Sequence, residues 1–95
     1  MSSAINTDAS FHAQSQFQDR IANDITLIES CWWDGIEVHA PKRDYDIARL
    51  YDGPLVQTPF VMFAALSDID TCDHIIRTVI PAERIDYEVV GEVDG

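Results

Sequence analysis

The strongest constraint on the fold is an unbroken apolar run, PFVMFAAL at positions 59–66, in a chain of only 95 residues. Such a run must be covered by the rest of the chain, which is long enough for one modest core. Its length and its valine and phenylalanine content predict a buried β-strand. A helix is the alternative, with Thr58 as N-cap and Pro59 at the first helical position.

An amphipathic helix is predicted before this run. From position 10 onward, apolar side chains recur every three or four residues, which places them on one helical face. Ser10 is suited to the N-cap, and Asp34-Gly35 closes the segment. Alternatively, the Asp-Gly pair is a hairpin turn, and the helix is shorter. The apolar face consists of Phe17, Ile21, Ile25, Ile28 and Trp32.

The remaining segments predict elements of both kinds. Residues 36–40 and 84–93 alternate between apolar and polar side chains, as half-buried strands do. Residues 43–51 and 69–79 instead have helical spacing, and acids at the start of the second suit a helix N-terminus. The expected fold is therefore α+β, with about three helices and a small sheet of about three strands. A mostly α-helical fold is the alternative.

The expected organisation is a flexible leader over residues 1–9 and a single compact acidic domain over residues 10–95. The leader is small and polar, with little to bury. One hydrophobic core is predicted for the domain, and its members are Phe17, Ile21, Ile25, Ile28, Phe63, Ile75, Ile76, Val79 and Val89.

Charge narrows the choice of partners. Seventeen acidic and six basic residues give a formal net charge of −11. Nucleic-acid backbones and anionic membranes are both bound through Lys and Arg, so neither is an expected direct partner. A basic protein, such as a nucleic-acid-binding protein or complex, is the expected partner. Acidity that serves solubility alone is the alternative.

The expected compartment is the cytoplasm. The first ten residues have neither the basic region nor the apolar run of a signal peptide, and no stretch has the length of a membrane span. Cys31 and Cys72 are too few for a disulfide scaffold and form no C-x-x-C pair.

No motif predicts catalysis, a cofactor or a metal site. Residues 68–74 begin like a calcium loop, but Asp73 takes the place of the required glycine and Val79 that of the bidentate glutamate. His39, His74 and Cys72 lack the spacing of zinc ligands. The sequence contains neither a G-x-S-x-G turn nor a glycine-rich phosphate loop. The protein is therefore not expected to be an enzyme.

Two groups of residues are candidates for contact with a partner. Trp32 and Trp33 point about 100° apart on a helix, so at least one should be accessible. Tryptophan is enriched among the residues that dominate binding at interfaces. The second group consists of acids on the final strand and at the start of the 69–79 helix, namely Asp86, Glu88, Glu92, Asp68, Asp70 and Asp73.

In size, charge and lack of catalytic motifs, the chain resembles the small acidic inhibitors that many bacteriophages encode. The resemblance is one of composition and covers no particular segment. It implies an anti-restriction or anti-CRISPR type of inhibitor that mimics nucleic acid and occupies a basic groove, in the host cytoplasm. A structural or accessory subunit that associates, or self-associates, through an exposed tryptophan is the alternative. A metal-binding or enzymatic domain comes third.

Overall fold

The structure, a computed structural model, describes residues 7–66 and 74–90. Within this part, the chain forms two α-helices, one short 3-10 helix and a mainly antiparallel sheet. In chain order the elements are β1 (Thr7–Ala9), α1 (Phe11–Arg20), α2 (Leu27–Asp34), β2 (Ile36–His39), β3 (Ile47–Tyr51), β4 (Phe60–Leu66), β5 (His74–Pro81), the 3-10 helix (Ala82–Arg84) and β6 (Glu88–Val89).

The strands form one sheet in the order β1-β5-β4-β3-β2-β6. Neighbours from β5 to β6 are antiparallel, and β1 adds a short parallel strand beside β5. The strands predicted at 59–66 and 36–40 are confirmed as β4 and β2. The fold is α+β, but the prediction of three helices and a three-stranded sheet is wrong, and so is the mostly helical alternative.

The sheet buries apolar side chains on both faces. Helices α1 and α2 cover one face, where Phe17 meets Phe60 edge-on with ring centroids 5.4 Å apart. This helix-side cluster consists of Ala13, Phe17, Ile28, Cys31, Trp32, Tyr51, Phe60, Met62, Ala64, Ile76 and Val79. The opposite-side cluster consists of Val38, Ala40, Ala48, Val61, Phe63 and Ile80, with Tyr45, Leu50, Ala82, Ile85 and Tyr87 packed against it.

Helix α1 also protects the part of the β5 edge that β1 does not reach. The Gln16 side chain accepts a hydrogen bond from the Val79 N–H at 2.8 Å, and Arg20 donates to the Val79 carbonyl at 2.9 Å. These contacts satisfy backbone groups that would otherwise be an open template for another strand.

The helix predicted over 43–51 is instead strand β3, which begins at Ile47. Apolar residues at 47, 48, 50 and 51 fit a helical face and a strand buried on both sides equally well. Pairing decides the outcome, because Ile47 to Tyr51 align with Ala64 to Phe60 of β4. Ala48 faces one cluster and Tyr51 the other.

The helix predicted over 69–79 is also wrong where the structure describes it, because His74–Pro81 is strand β5. Residues 69–73 lie outside the described part. The strand carries apolar residues toward both clusters, so it lacks the alternation that would identify it. A register shift opposite Phe63 and Ala64 leaves Arg77 without a cross-strand partner and exposed. The resulting irregular spacing imitates helical periodicity.

The long first helix is divided into two. Ser10 is its N-cap as predicted, since its hydroxyl accepts from the Ala13 N–H at 3.1 Å. The helix ends at Arg20, and α2 begins only at Leu27. Between them, the Asp24 carboxylate accepts from the Thr26 N–H at 3.1 Å, a local bond that competes with helix formation. The Thr26 hydroxyl donates to the same carboxylate, and the two bonds, that of the hydroxyl first and that of the N–H second, lower the pKa of Asp24.

The predicted single core is wrong in part. Five of its members are buried: Phe17, Ile28, Phe63, Ile76 and Val79. Ile21 and Ile75 are half-buried, whereas Ile25 is 36% and Val89 47% exposed. Ile25 lies in the turn between the helices. Val89 lies in β6, which spans two residues rather than the predicted 84–93 and begins after the 3-10 helix. Residues 91–95 lie outside the described part.

Candidate functional site

Helix α2 directs its two tryptophans to different environments. Trp32 points into the helix-side cluster and is fully buried, whereas Trp33 is 43% exposed. Adjacent residues on a helix diverge by about 100°, which is why only one can enter the core. The predicted exposure of at least one tryptophan is confirmed for Trp33. Trp32, the other candidate for partner contact, is corrected to a core residue.

His74, the first residue of β5, holds both tryptophans. The Trp32 indole Nε1–H donates to His74 Nδ1 at 3.0 Å, so this nitrogen is an unprotonated acceptor in the contact. Trp33 stacks on the same imidazole with centroids 5.8 Å apart and planes 28° apart. His74 is itself buried. His74 thus contacts both indoles and restrains them.

Arg49 of β3 also contacts both tryptophans. Its guanidinium lies 4.7 Å from the Trp32 ring centroid and 5.2 Å from that of Trp33, within cation–π range. It also donates to the Trp32 carbonyl at 3.0 Å. Burial lowers the pKa of Arg49, and the charge of Glu37 opposes that effect. Through its contacts with the two rings and with the Trp32 carbonyl, Arg49 restrains both indoles.

The surface around Trp33 combines apolar and acidic side chains. Two shallow grooves meet at Asp34, the last residue of α2. Their lining contains three acids and no lysine or arginine. The first groove is lined by Thr26, Glu29, Ser30, Trp33 and Asp34. The second is lined by Asp34, Ile36, Leu50, Tyr51, Asp52, Gly53 and Pro54. We call these two grooves together the Trp33 surface.

The predicted acidic candidates do not belong to this surface. Asp86 and Glu88 are exposed near and in β6. Asp86 lines a pocket together with Lys42, Arg43 and Arg84, so its surroundings there are cationic. The other candidates, Glu92, Asp68, Asp70 and Asp73, lie outside the described residues.

Metal ligands are not grouped within residues 7–66 and 74–90: no three His, Cys, Asp or Glu side chains lie where they could hold one ion. The imperfect calcium-like segment falls mostly outside this part of the chain. His39 instead lies with its Nδ1 3.0 Å from the Tyr45 hydroxyl.

Cys31 lies in the helix-side cluster, fully buried and free. Burial, together with the charge of Asp34, raises the pKa of its thiol to about 11. Since the thiolate is the reactive form, the side chain is both hidden and chemically blunted.

We therefore expect Cys31 to resist modification in the folded protein. In a Cys72→Ser variant, which leaves a single thiol, Ellman's reagent at pH 8 should react slowly under native conditions and fully in guanidinium chloride. A native reaction as fast as that of free cysteine would contradict the burial and the raised pKa of this thiol.

The sequence indicated that Trp33 could be exposed, but it gave little indication of the residues that hold it. An arginine within the apolar segment IARLY is the one hint of Arg49, because such a residue needs a specific partner when half-buried. The sequence offered His74 only as a possible zinc ligand and gave no indication that it contacts the tryptophans.

Comparison with known proteins gives no relative. The sequence matches no family model, and neither curated proteins nor solved structures show significant similarity to it. In the described residues, no helix has the length and hydropathy needed to cross a membrane.

Proposed function

We propose that this protein is a small protein-binding module whose Trp33 surface receives a basic, amphipathic segment of a partner. The observation that carries the proposal is an exposed tryptophan, restrained by His74 and Arg49, in a groove that meets a second groove at Asp34. The charged residues that line the two grooves are all acidic. Each part of this arrangement contributes to binding in a different way.

The fixed orientation of Trp33 lowers the entropic cost of binding. Stacking on His74 and the Arg49 guanidinium restrain the indole before any partner arrives. A side chain that is already ordered loses little rotamer freedom in a complex, so more of its contact energy appears as affinity. Partly exposed, rigid aromatic residues are typical anchors of interfaces.

The apolar part of the second groove offers a place for the partner's own hydrophobic side chains. Ile36 and Pro54 are exposed, and Leu50 is half-buried. Together with Trp33 of the adjoining groove, these residues are the apolar part of the Trp33 surface. Burial of apolar area contributes the non-directional part of the affinity.

The acids select the partner's charge. Glu29, Asp34 and Asp52 are all exposed along the two grooves. Lysine and arginine side chains of a partner would find complementary charges here, and the net charge of −11 would speed their approach. The proposed occupant is therefore a segment that combines apolar anchors with basic residues.

Charge reversal tests this proposal against nonspecific acidity. The probe is a fluorescein-labelled amphipathic peptide of leucine and lysine, followed by fluorescence anisotropy at low and at physiological salt. In the variant Asp34→Lys with Asp52→Lys, we expect roughly tenfold weaker binding at physiological salt, because the rim charges steer and hold the peptide.

The matched control is Asp19→Lys with Glu83→Lys, two exposed acids away from the grooves that change the net charge equally. This variant should bind within about twofold of the original protein, since distant exposed charges are screened beyond ~8 Å at physiological salt. Equal losses in both variants would refute a localised site. Equal binding of a leucine and glutamine peptide would refute the basic partner and favour an accessory subunit with an apolar contact.

Nucleic-acid mimicry is a narrower candidate, in which the partner's basic segment is its nucleic-acid-binding groove. The net charge of −11 favours it, whereas the cations beside Asp86 weigh against Asp86 and Glu88 as the contact surface. A competition binding experiment tests mimicry. An inhibitor of this kind must be displaced from a nucleic-acid-binding partner by that partner's own DNA or RNA, because both bind the same Lys and Arg side chains.

A further inference from the structure

Three of the six basic residues of this acidic chain line one pocket. Lys42, Arg43 and Arg84 lie around it, with Asp86 as the single acid. The chain as a whole has seventeen acids and six bases, so the pocket inverts the overall ratio. Its charged lining carries three cations and one carboxylate, a net charge of +2.

The first wall of the pocket is a turn held by hydrogen bonds. The Arg43 N–H donates to the Ala40 carbonyl at 3.1 Å, which closes a tight turn with Pro41 and Lys42 at its centre. The Ala40 N–H in turn donates to the Tyr45 hydroxyl at 2.8 Å. Proline restricts the backbone at the turn, so the stems of Lys42 and Arg43 start from fixed positions.

The second wall is the segment after β5. The Ala82 N–H donates to the Pro59 carbonyl at 3.0 Å and anchors the 3-10 helix that ends at Arg84. Ile85 packs against the opposite-side cluster, of which Ala40 on the facing wall is a buried member. The pocket thus has an apolar base tied to the core and a cationic margin.

The three cationic side chains have no partner within residues 7–66 and 74–90. Neither hydrogen bonds nor ion pairs engage them there, although Asp86 lies in the same lining. Three like charges around one pocket repel one another unless an anion neutralises them. In a chain with seventeen acids and six bases, three neighbouring cations with a single acid among them are not expected from composition.

We propose that this pocket binds the phosphate group of a small molecule. Arginine presents paired N–H donors that match phosphate oxygens, and lysine adds a point charge. The pocket encloses about 180 Å³, below the roughly 300 Å³ of sites for drug-sized ligands. This size suits a compact anionic group, with any attached moiety extending outward. The site is separate from the Trp33 surface and does not depend on the function proposed for it.

The test is a titration of the full chain with inorganic phosphate, followed by ¹H–¹⁵N NMR at constant ionic strength set with sodium chloride. We expect saturable shifts for the backbone amides of residues 42–43 and 84–86. In the variant Arg43→Gln with Arg84→Gln, affinity should fall about tenfold or more, since each lost charged hydrogen bond is a substantial contribution.

The matched control is Arg77→Gln, which removes an exposed arginine on β5 that does not line the pocket. It should leave phosphate affinity within about twofold, because an exposed charge that does not line the pocket is largely screened by salt. Shifts that do not saturate, or an equal loss in the control, would overturn the site. So would acetate that binds as tightly as phosphate.

A gain of affinity separates binding from damage to the fold. Asp86→Asn removes the only carboxylate of the lining and should tighten phosphate binding several-fold, because like-charge repulsion with the ligand disappears. Unchanged or weaker binding would contradict the proposed position of the anion. Adenosine monophosphate then identifies the source: tighter binding than inorganic phosphate indicates a nucleotide, and equal binding indicates the free anion.

Discussion

A Trp32→Ala variant is expected to lose about 3–5 kcal/mol of unfolding free energy, the usual range for truncation of a buried aromatic residue. Trp32 is fully buried and is the largest side chain of the helix-side cluster. Its removal leaves a cavity and takes away the hydrogen bond that His74 accepts at 3.0 Å. Small domains have about 5–15 kcal/mol of total stability, so this single change should remove a large part of it.

Urea denaturation followed by far-UV circular dichroism measures the effect, because the substitution alters the tryptophan fluorescence. Trp32→Phe serves as the control: it retains most of the apolar volume but not the indole N–H, and should cost about 1–3 kcal/mol. A Trp32→Ala variant within about 1 kcal/mol of the original protein would show that the indole is not packed as described.

The elements predicted correctly are those whose signal is local. The 59–66 strand is recognisable because a short, wholly apolar run is typical of a central strand. Ser10 is recognisable as a cap because its bond reaches only three residues ahead, to Ala13. Neither prediction needs knowledge of what lies across the fold.

The helix predictions are wrong for 43–51 and for the described residues 74–79 of 69–79, because the conformation of these segments depends on distant partners. Strand β3 carries apolar residues toward both faces of the sheet, and only its alignment with β4 fixes that arrangement. Strand β5 adds an extra residue, Arg77, which shifts the spacing of its apolar side chains. Tertiary pairing thus overrides a periodicity that sequence reasoning interprets as helical.

The candidate site also combines one feature that local sequence predicts with others that depend on distant residues. The exposure of Trp33 follows from its adjacency to Trp32, which is a local argument. Its supports lie far along the chain: Arg49 is 17 residues and His74 is 42 residues from Trp32. No spacing rule connects positions brought together by a sheet. The arrangement that makes Trp33 a rigid anchor could therefore be found only from the folded chain.

The second large effect concerns binding. With the leucine and lysine peptide as probe, Trp33→Ala is expected to weaken binding by about 2 kcal/mol or more, which is a loss of affinity of roughly 30-fold. Truncation of an interface anchor typically has an effect of this size. The loss combines removal of contact area with removal of an orientation that His74 and Arg49 had already fixed. Anisotropy of the labelled peptide measures it directly.

Stability must be separated from binding in this experiment. Trp33 is 43% exposed, so its truncation should cost only about 1 kcal/mol of unfolding free energy through the lost stacking and cation–π contacts. Phe11→Ala is the matched control, since Phe11 is an aromatic residue that is 88% exposed at the start of α1 and lines neither groove. If Phe11→Ala weakens peptide binding as much as Trp33→Ala, the peptide responds to exposed aromatic area in general. If only Trp33→Ala weakens it, the effect belongs to the surface where a fixed indole and three acids coincide.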